Sequence, residues 1–323
     1  MKRWLVVGAA LVASAVVLTT GLGAAPPHDP VDSPNLMQFR LGTTGGHAFS
    51  PDAYDYASRP QSGQGVSEGP LLLFLPATRA KPADYRLFLR TATSVGYHVL
   101  GLDYWNTGTS VTHLCGPIPT CYTAVQRNRF DGSHPSIYSR VNVANSIVNR
   151  LRAALAYLGR HDAHGDWNRY VDGSGVRWRQ VVVAGHSQGG GESAYIAHST
   201  RVHGVLMFSS PVDTFDGVPA SWMATPGRTS PSRMYAFDNE HDMYYGKIID
   251  SWHQLALNRY GRVARATTPT GSHELVATNI IGDAAQSHGR TVSDQTPRTK
   301  QGAAEYRPVW EWMLRQALDT RAD

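Results

Sequence analysis

Short apolar runs alternate with longer amphipathic segments along most of the chain. Apolar runs typical of buried strands lie at 71–75, 97–102, 180–184, 202–208, 234–237 and 263–267. Apolar residues near every third or fourth position, or an Ala-rich run, predict helices at 83–95, 137–158, 190–199, 247–260 and 305–318. Strands that alternate with helices are typical of a mainly parallel sheet covered on both faces. The pattern therefore predicts an α/β fold.

Two further stretches complete this prediction. Residues before 60 could supply an antiparallel start to the sheet, whereas the polar stretch 282–302, which has few large apolar residues, predicts an exposed loop. No internal repeat and no long linker divides the chain after residue 35. A single domain is therefore expected.

The first 25 residues have a different character from the rest. Lys2 and Arg3 precede an uncharged run at 4–22, and small residues follow at 23–25. This order predicts a secretory signal peptide over 1–25, with the domain over 26–323, in an extracellular or periplasmic protein. The alternative is an uncleaved membrane anchor, because about 20 apolar residues can span a bilayer.

Composition excludes several classes of function. The chain has 323 residues, of which 41% are hydrophobic, so a disordered chain is excluded. A net charge of +5 is too small and too dispersed for a nucleic-acid partner. Only two cysteines are present, which excludes zinc or iron–sulfur modules built on cysteine. In an exported protein Cys115 and Cys121 are expected to form a disulfide, although two free thiols are the alternative.

The motif Gly185-His186-Ser187-Gln188-Gly189 carries the clearest chemical signal. The same G-x-S-x-G pattern surrounds Ser67, but that serine precedes a strand in a polar loop. Ser187 instead follows a predicted strand and precedes a predicted helix, where small neighbours permit a sharp turn and the helix amides face the serine. Ser187 is therefore the candidate nucleophile, with a helix-capping serine as the alternative.

The segment VVVAGHSQGGGESAYIAH at 181–198 resembles the nucleophile elbow of the α/β-hydrolase superfamily, especially its secreted esterase- and lipase-like branches. The segments at 71–106 and 232–245 resemble further parts of that fold, although Pro76-Ala77 stands where many members have His-Gly. The resemblance implies a mainly parallel sheet of about eight strands with a short cap. It also implies hydrolysis of carboxylic esters through an acyl-enzyme, without a metal or an organic cofactor.

In this superfamily the acid follows the serine along the chain, and the histidine follows the acid. The acid is expected after the strand that ends near 237, which leaves Asp238, Glu240 and Asp242 as candidates. Asp242 is favoured because the acid usually lies a few residues beyond the strand, after a turn.

The base should follow the final strand, and two histidines compete for that position. If 263–267 is the final strand, His273 is the base, and this is the favoured assignment. If 275–281 is the final strand, the base is His288.

The resemblance also assigns an oxyanion hole to two backbone N–H groups, those of Gln188 and Thr78, with Ala77 as the second choice for the latter. The segment 209–233 is too short for a large lid, so an open cleft for a small or polymeric ester is expected. Three side chains could contribute to a substrate pocket: Trp222, Met223 and Trp105.

Other functions remain compatible with the same motif. An extracellular acyltransferase or a peptidase would use the same triad with a different acceptor or substrate. A non-catalytic binding module on a hydrolase scaffold is less favoured, because candidates for all three catalytic residues are present. The sequence does not indicate an oligomeric state.

Overall fold

Nine strands of the described chain form one twisted layer. A computed structural model describes residues 35–41, 54–60, 69–265 and 271–319. The signal peptide predicted at 1–25 and the second serine motif at Ser67 lie outside these residues. The strands of the main sheet are β1 Met37–Phe39, β2 Asp55–Ser58, β3 Leu71–Leu75, β4 His98–Gly101, β7 Val181–His186, β8 Gly204–Phe208, β11 Met234–Asn239, β12 Ala264–Arg265 and β13 Glu274–Ala277.

The sheet order is β1-β2-β4-β3-β7-β8-β11-β13-β12. Strand β2 pairs antiparallel with both β1 and β4, whereas every other neighbouring pair in this sheet is parallel. The predicted mainly parallel sheet with an antiparallel start is therefore confirmed. Because parallel strands end at the same edge, the loops after β3, β7, β8, β11 and β13 meet there.

Helices cover both faces of the sheet. They are α1 Arg86–Val95, α2 Val111–Cys115, α3 Pro119–Asp131, α4 Ile147–His161, α5 Gln188–Ser199, α6 Tyr245–Gln254, α7 Ala284–Gly289 and α8 Arg307–Asp319. In β3, Leu71, Leu73 and Leu75 point into the core under α4 and α5, whereas Leu72 and Phe74 point into the core under α1 and α8. This alternation, with all five residues fully buried, is the pattern of a strand that is covered on both sides.

The long helix predicted at 137–158 is shorter than the sequence pattern indicated. Helix α4 begins at Ile147, after Ser146, whose hydroxyl accepts a hydrogen bond from the N–H of Asn149 at 3.3 Å. This cap satisfies a free N–H of the first turn and fixes the start of the helix there. Ile137 is 81% exposed and lies outside the helix.

The prediction of an exposed loop at 282–302 is wrong. This segment contains α7, and Thr291 and Val292 are fully buried. The backbone N–H of Leu87 donates to Asp294 at 2.8 Å, and the indole of Trp310 donates to the carbonyl of Thr291 at 2.9 Å. Polar residues can be buried here because their groups are hydrogen-bonded to α1 and α8.

Two short β-ribbons lie beside the main sheet. After β8 the chain forms a small ribbon of β9 Thr214–Phe215 and β10 Val218–Pro219, and a second ribbon pairs β5 Val171–Asp172 with β6 Gly175–Val176. The predicted disulfide joins Cys115, the last residue of α2, to Cys121 near the start of α3. None of the helices in the described ranges is long and apolar enough to cross a membrane.

Candidate active site

Ser187 occupies the sharp turn between β7 and α5. Its backbone has φ +52° and ψ −117°, a conformation that non-glycine residues rarely adopt. Its N–H donates to the carbonyl of Phe208 on β8 at 2.9 Å, which holds the turn against the neighbouring strand. A strained serine between a strand and a helix is the arrangement expected of a nucleophile elbow.

Glycines beside Ser187 are required by close backbone contacts. A Cβ on Gly189 would overlap the carbonyl oxygen of Leu75, and a Cβ on Gly185 would overlap the backbone of Gly189. Strand β3, the turn and α5 can therefore approach one another only when these positions lack side chains. The glycine pattern seen in the sequence has a steric cause.

Three side chains meet beside this turn. His288 Nε2 lies 2.7 Å from Ser187 Oγ, and His288 Nδ1 lies 2.7 Å from Asp242 Oδ2. Asp242 Oδ1 accepts a further hydrogen bond from the N–H of Tyr244 at 2.6 Å. An ionised carboxylate can only accept, so Nδ1 carries the proton and Nε2 is free to accept from the serine hydroxyl.

His273, the histidine favoured from the sequence, lies elsewhere. Its Nδ1 is 2.8 Å from the carbonyl of Met234, and its ring packs between Tyr235 and Tyr260. The cause is the position of the final strand, because β13 follows His273 instead of preceding it. His273 therefore lies at the edge where the strands begin, and His288 follows the end of β13.

A second carboxyl group, that of Asp238, lies beside Asp242. Asp238 is completely buried beside Asp242, and Ser209 Oγ lies 3.0 Å from Asp238 Oδ1. Burial and the neighbouring charge of Asp242 raise the pKa of Asp238 well above its ordinary value. Burial alone would also raise the pKa of Asp242, but hydrogen bonds from His288 and Asp238 hold it below its ordinary value. These opposite directions are the ones expected of a carboxyl pair in which Asp238 holds the proton and Asp242 is ionised.

His186, which precedes the serine, connects two loops of the site. Its Nε2–H donates to the carbonyl of His288 at 2.9 Å, and its Nδ1 accepts from the hydroxyl of Tyr85 at 2.9 Å. The Tyr85 oxygen in turn accepts from the N–H of Ala77 at 3.2 Å. Burial, with the nearby His288, lowers the pKa of His186 to about 3, so its ring is neutral. The G-x-S-x-G pattern assigns no role to this residue.

The two residues predicted for the oxyanion hole lie next to each other. The Thr78 hydroxyl donates to Gln188 Oε1 at 3.1 Å, and both residues border the same cavity as Ser187. Gln188 is the first residue of α5, so its N–H lies at the end of the helix where no internal acceptor is available. The N–H of Ala77, the second choice, already donates to Tyr85.

The predicted pocket residues do not border the cavity beside Ser187. Trp222 and Met223 are each 4% exposed and belong to the core, and Trp105 is half-buried. Trp222 still reaches the site indirectly, because its indole donates to Asp213 Oδ2 at 3.2 Å and Asp213 borders the cavity. Asp213 was missed, although it follows the carboxyl end of β8, where ligands of parallel sheets commonly bind.

No metal-binding group of three or more His, Cys, Asp or Glu side chains occurs in the described ranges. The cavity beside Ser187 is bordered by residues that follow β3, β7, β8 and β11, and by residues of α2 and α3.

No family model matches the chain, and no curated protein matches it. Several solved structures are similar to it. One is a thermophilic esterase from the Planctomycetes species Thermogutta terrifontis, with 14% identity, a TM-score of 0.37, and coverage of 72% of this chain and 80% of that chain. A second is MGS-M1, an α/β hydrolase from a Medee basin deep-sea metagenome library, with 12% identity, a TM-score of 0.43, and coverage of 88% and 98%. A third is the Pyrococcus horikoshii acylaminoacyl peptidase, with 10% identity, a TM-score of 0.44, and coverage of 90% and 42%.

These identities are too low for an activity to be carried across. The chain itself has the predicted α/β-hydrolase fold, as its strand order and the strand–turn–helix unit around Ser187 show. The contacts around Ser187 indicate the chemistry of the site.

Proposed function

We propose that the protein is an exported serine hydrolase that cleaves carboxylic esters through an acyl-enzyme. The observation that carries this proposal is the continuous contact from Ser187 through His288 to Asp242, at 2.7 Å and 2.7 Å. Serine, imidazole and carboxylate in hydrogen-bond reach of one another activate the hydroxyl as a nucleophile.

In the first half of the reaction, Ser187 Oγ attacks the ester carbonyl while its proton passes to His288 Nε2. Asp242 holds the Nδ1 proton of His288 and stabilises the imidazolium that forms. The N–H groups of Gln188 and Thr78 bind the developing oxyanion, and one such donor is typically worth about 10²–10³ in rate. His288 then donates its proton to the leaving alcohol.

In the second half, water attacks the acyl-enzyme. His288 Nε2 takes a proton from the water and returns it to Ser187 Oγ as the tetrahedral intermediate collapses, which releases the acid and restores the Ser187 hydroxyl. The pairing of a neutral Asp238 with an ionised Asp242 supports this role, because Asp242 stays negative when His288 becomes positive.

Export is the second part of the proposal. It is supported by the basic and apolar order of residues 1–25, and by the bond between Cys115 and Cys121, which is typical of proteins in oxidising compartments. Expression with the native leader should deliver the protein outside the cytoplasm with a new amino terminus near residue 26. Mass spectrometry of the amino-terminal peptide tests this, and an intact leader would contradict cleavage.

A fluorophosphonate probe tests the catalytic assignment directly. Folded wild-type protein and Ser67→Ala should be labelled, whereas Ser187→Ala should not. His288→Ala should lower the rate of p-nitrophenyl acetate hydrolysis by about 10⁴-fold or more, because triad members act as a unit. His273→Gln is the matched control and should keep its activity.

Thermal unfolding of each variant shows that a loss is not a loss of folding. Absence of labelling in folded wild-type protein would overturn the proposal. An equal loss in His273→Gln and His288→Ala would overturn the assignment of the base.

A further inference from the structure

A small cavity lies directly beside Ser187. Its volume is about 20 Å³, enough for one water-sized group. Ser187, Thr78 and Gln188 form one part of its wall, and Gln126 and Asp213 form another. The catalytic steps above use the first three residues and leave Gln126 and Asp213 without a role.

Gln126 presents an acceptor that has no partner. The side chain is 2% exposed, and its Nε2 donates to Asp213 Oδ2. Its Oε1 is buried and makes no hydrogen bond to any described residue. The amide cannot turn over, because Oε1 would then face the carboxylate of Asp213.

Asp213 adds a second acceptor. It is 4% exposed, and both of its side-chain donors, Gln126 Nε2 and Trp222 Nε1, bind the same oxygen, Oδ2. No side chain of the described residues donates to the other oxygen, Oδ1, and Asp213 borders the cavity. Within the described ranges no Lys, Arg or His nitrogen forms an ion pair with this carboxylate.

We infer that this cavity is a specificity subsite for a hydrogen-bond donor, a hydroxyl or an ammonium group, carried by the substrate next to the ester bond. This inference rests on the proposed function, because it assigns a substrate class to the same serine. A site with buried acceptors discriminates strongly against a substrate that lacks the donor, since the acceptors then stay unpaired without water. The small volume restricts the donor to a single small group.

Substrates that differ in one terminal group test the subsite. On the acyl side, p-nitrophenyl esters of butyric, 3-hydroxypropanoic and 3-aminopropanoic acids differ only in a methyl, a hydroxyl or an ammonium group. On the alcohol side, propyl, 2-hydroxyethyl and 2-aminoethyl acetates form the same series. On one of the two sides, kcat/KM should be at least about tenfold higher for a donor-bearing ester than for its alkyl partner. A preference for the hydroxyl ester indicates a neutral substrate, and a preference for the ammonium ester indicates a cationic one.

Asp213→Asn reverses the polarity of the subsite with almost no change in size. Gln126 and Trp222 hold the remaining oxygen of the amide, so its NH₂ group turns toward the cavity and meets the donor of the substrate. The ratio of kcat/KM between donor-bearing and alkyl esters should therefore fall at least about tenfold. Because the ratio is taken within each variant, a general loss of activity cancels.

Glu192→Gln is the matched control. Glu192 is another fully buried carboxyl, on α5, and does not border the cavity. Both carboxyls lie near Arg129, so this variant changes a similar buried group while the subsite stays intact. Its substrate ratio should equal that of the wild type.

Failure of the subsite and failure of the proposed function give different results. If the fluorophosphonate labels the protein but donor-bearing esters are not preferred on either side, the subsite is overturned and the hydrolase proposal stands. An unchanged substrate ratio in Asp213→Asn has the same consequence. An equal fall in Glu192→Gln also overturns it. Absence of both labelling and hydrolysis in folded protein overturns the proposed function and the subsite together.

Discussion

Two replacements of Asp238 test whether this residue acts as a neutral hydrogen-bond donor or through a negative charge. Asn has nearly the same shape as protonated Asp, and its amide can donate to Asp242 while its oxygen accepts from Ser209. Asp238→Asn should therefore keep kcat/KM within a few-fold of the wild type. Asp238→Ala removes the donor and should lower it substantially.

The size of that loss follows from the bond that is removed. A hydrogen bond to a charged group contributes about 1.5–3 kcal/mol. If the whole of that contribution is expressed in the transition state, kcat/KM falls about 10- to 150-fold, since each 1.36 kcal/mol is a factor of ten. The same hydrogen bond also lowers the pKa of Asp242, so its loss raises that pKa and lets Asp242 take up a proton at a higher pH. The acidic limb of the kcat/KM profile should accordingly move to higher pH in Asp238→Ala.

Ester hydrolysis measured from pH 4.5 to 9 gives both the loss in kcat/KM and the position of the acidic limb. Urea unfolding checks that each variant is folded. Asp250, which is exposed on α6, supplies matched Ala and Asn controls that should leave the profile unchanged. An equal loss of activity in Asp238→Asn and Asp238→Ala would show instead that Asp238 acts through its charge.

Three further changes test other parts of the structure. His186 has a pKa near 3 in the folded protein and 6.5 as its ordinary value, so protons favour the unfolded chain below pH 6.5. The stability difference between wild type and His186→Gln in urea should consequently shift by about 2 kcal/mol against the wild type from pH 7 to pH 5, and a constant difference would contradict the neutral ring. Gly189→Ala should lower esterase activity at least about 100-fold through its clash with β3, whereas Gly246→Ala on α6, where a Cβ meets nothing within 4 Å, should be harmless in both activity and thermal unfolding. Replacement of Cys115 and Cys121 by Ser should lower the free energy of unfolding in urea by about 2 kcal/mol, as expected for a short closed loop; an unchanged midpoint would show that the bond does not constrain the unfolded chain.

The candidate nucleophile could be found from the sequence because its signal is local. A strand, a sharp turn and a helix are contiguous in the chain, and the glycines that the turn requires lie within two residues of Ser187. The same holds for the buried strands, whose apolar runs reflect burial on both faces. Asp242, the favoured acid, also lies a fixed short distance after a strand, and the structure brings it to His288.

The position of the histidine depended on the sheet. Residues 263–267 and 275–281 both have apolar character, and only pairing with β11 makes β13 the strand that positions the following loop. In the sheet, β12 lies outside β13 although it precedes it in the chain. No local pattern carries that order, so His273 and His288 could not be separated by sequence alone.

Burial of polar residues was equally invisible in the sequence. Thr291 looks like a loop residue, yet it is buried because Ser209 and Trp310 satisfy its polar groups from distant parts of the chain. Gln126 and Asp213 meet across 87 positions of sequence. The sequence by itself determined the strand–helix order and the serine in its turn, because both depend on neighbours along the chain. Only the tertiary structure placed His288 beside Ser187 and formed the polar cavity, because both depend on which strands and loops end at the same edge of the sheet.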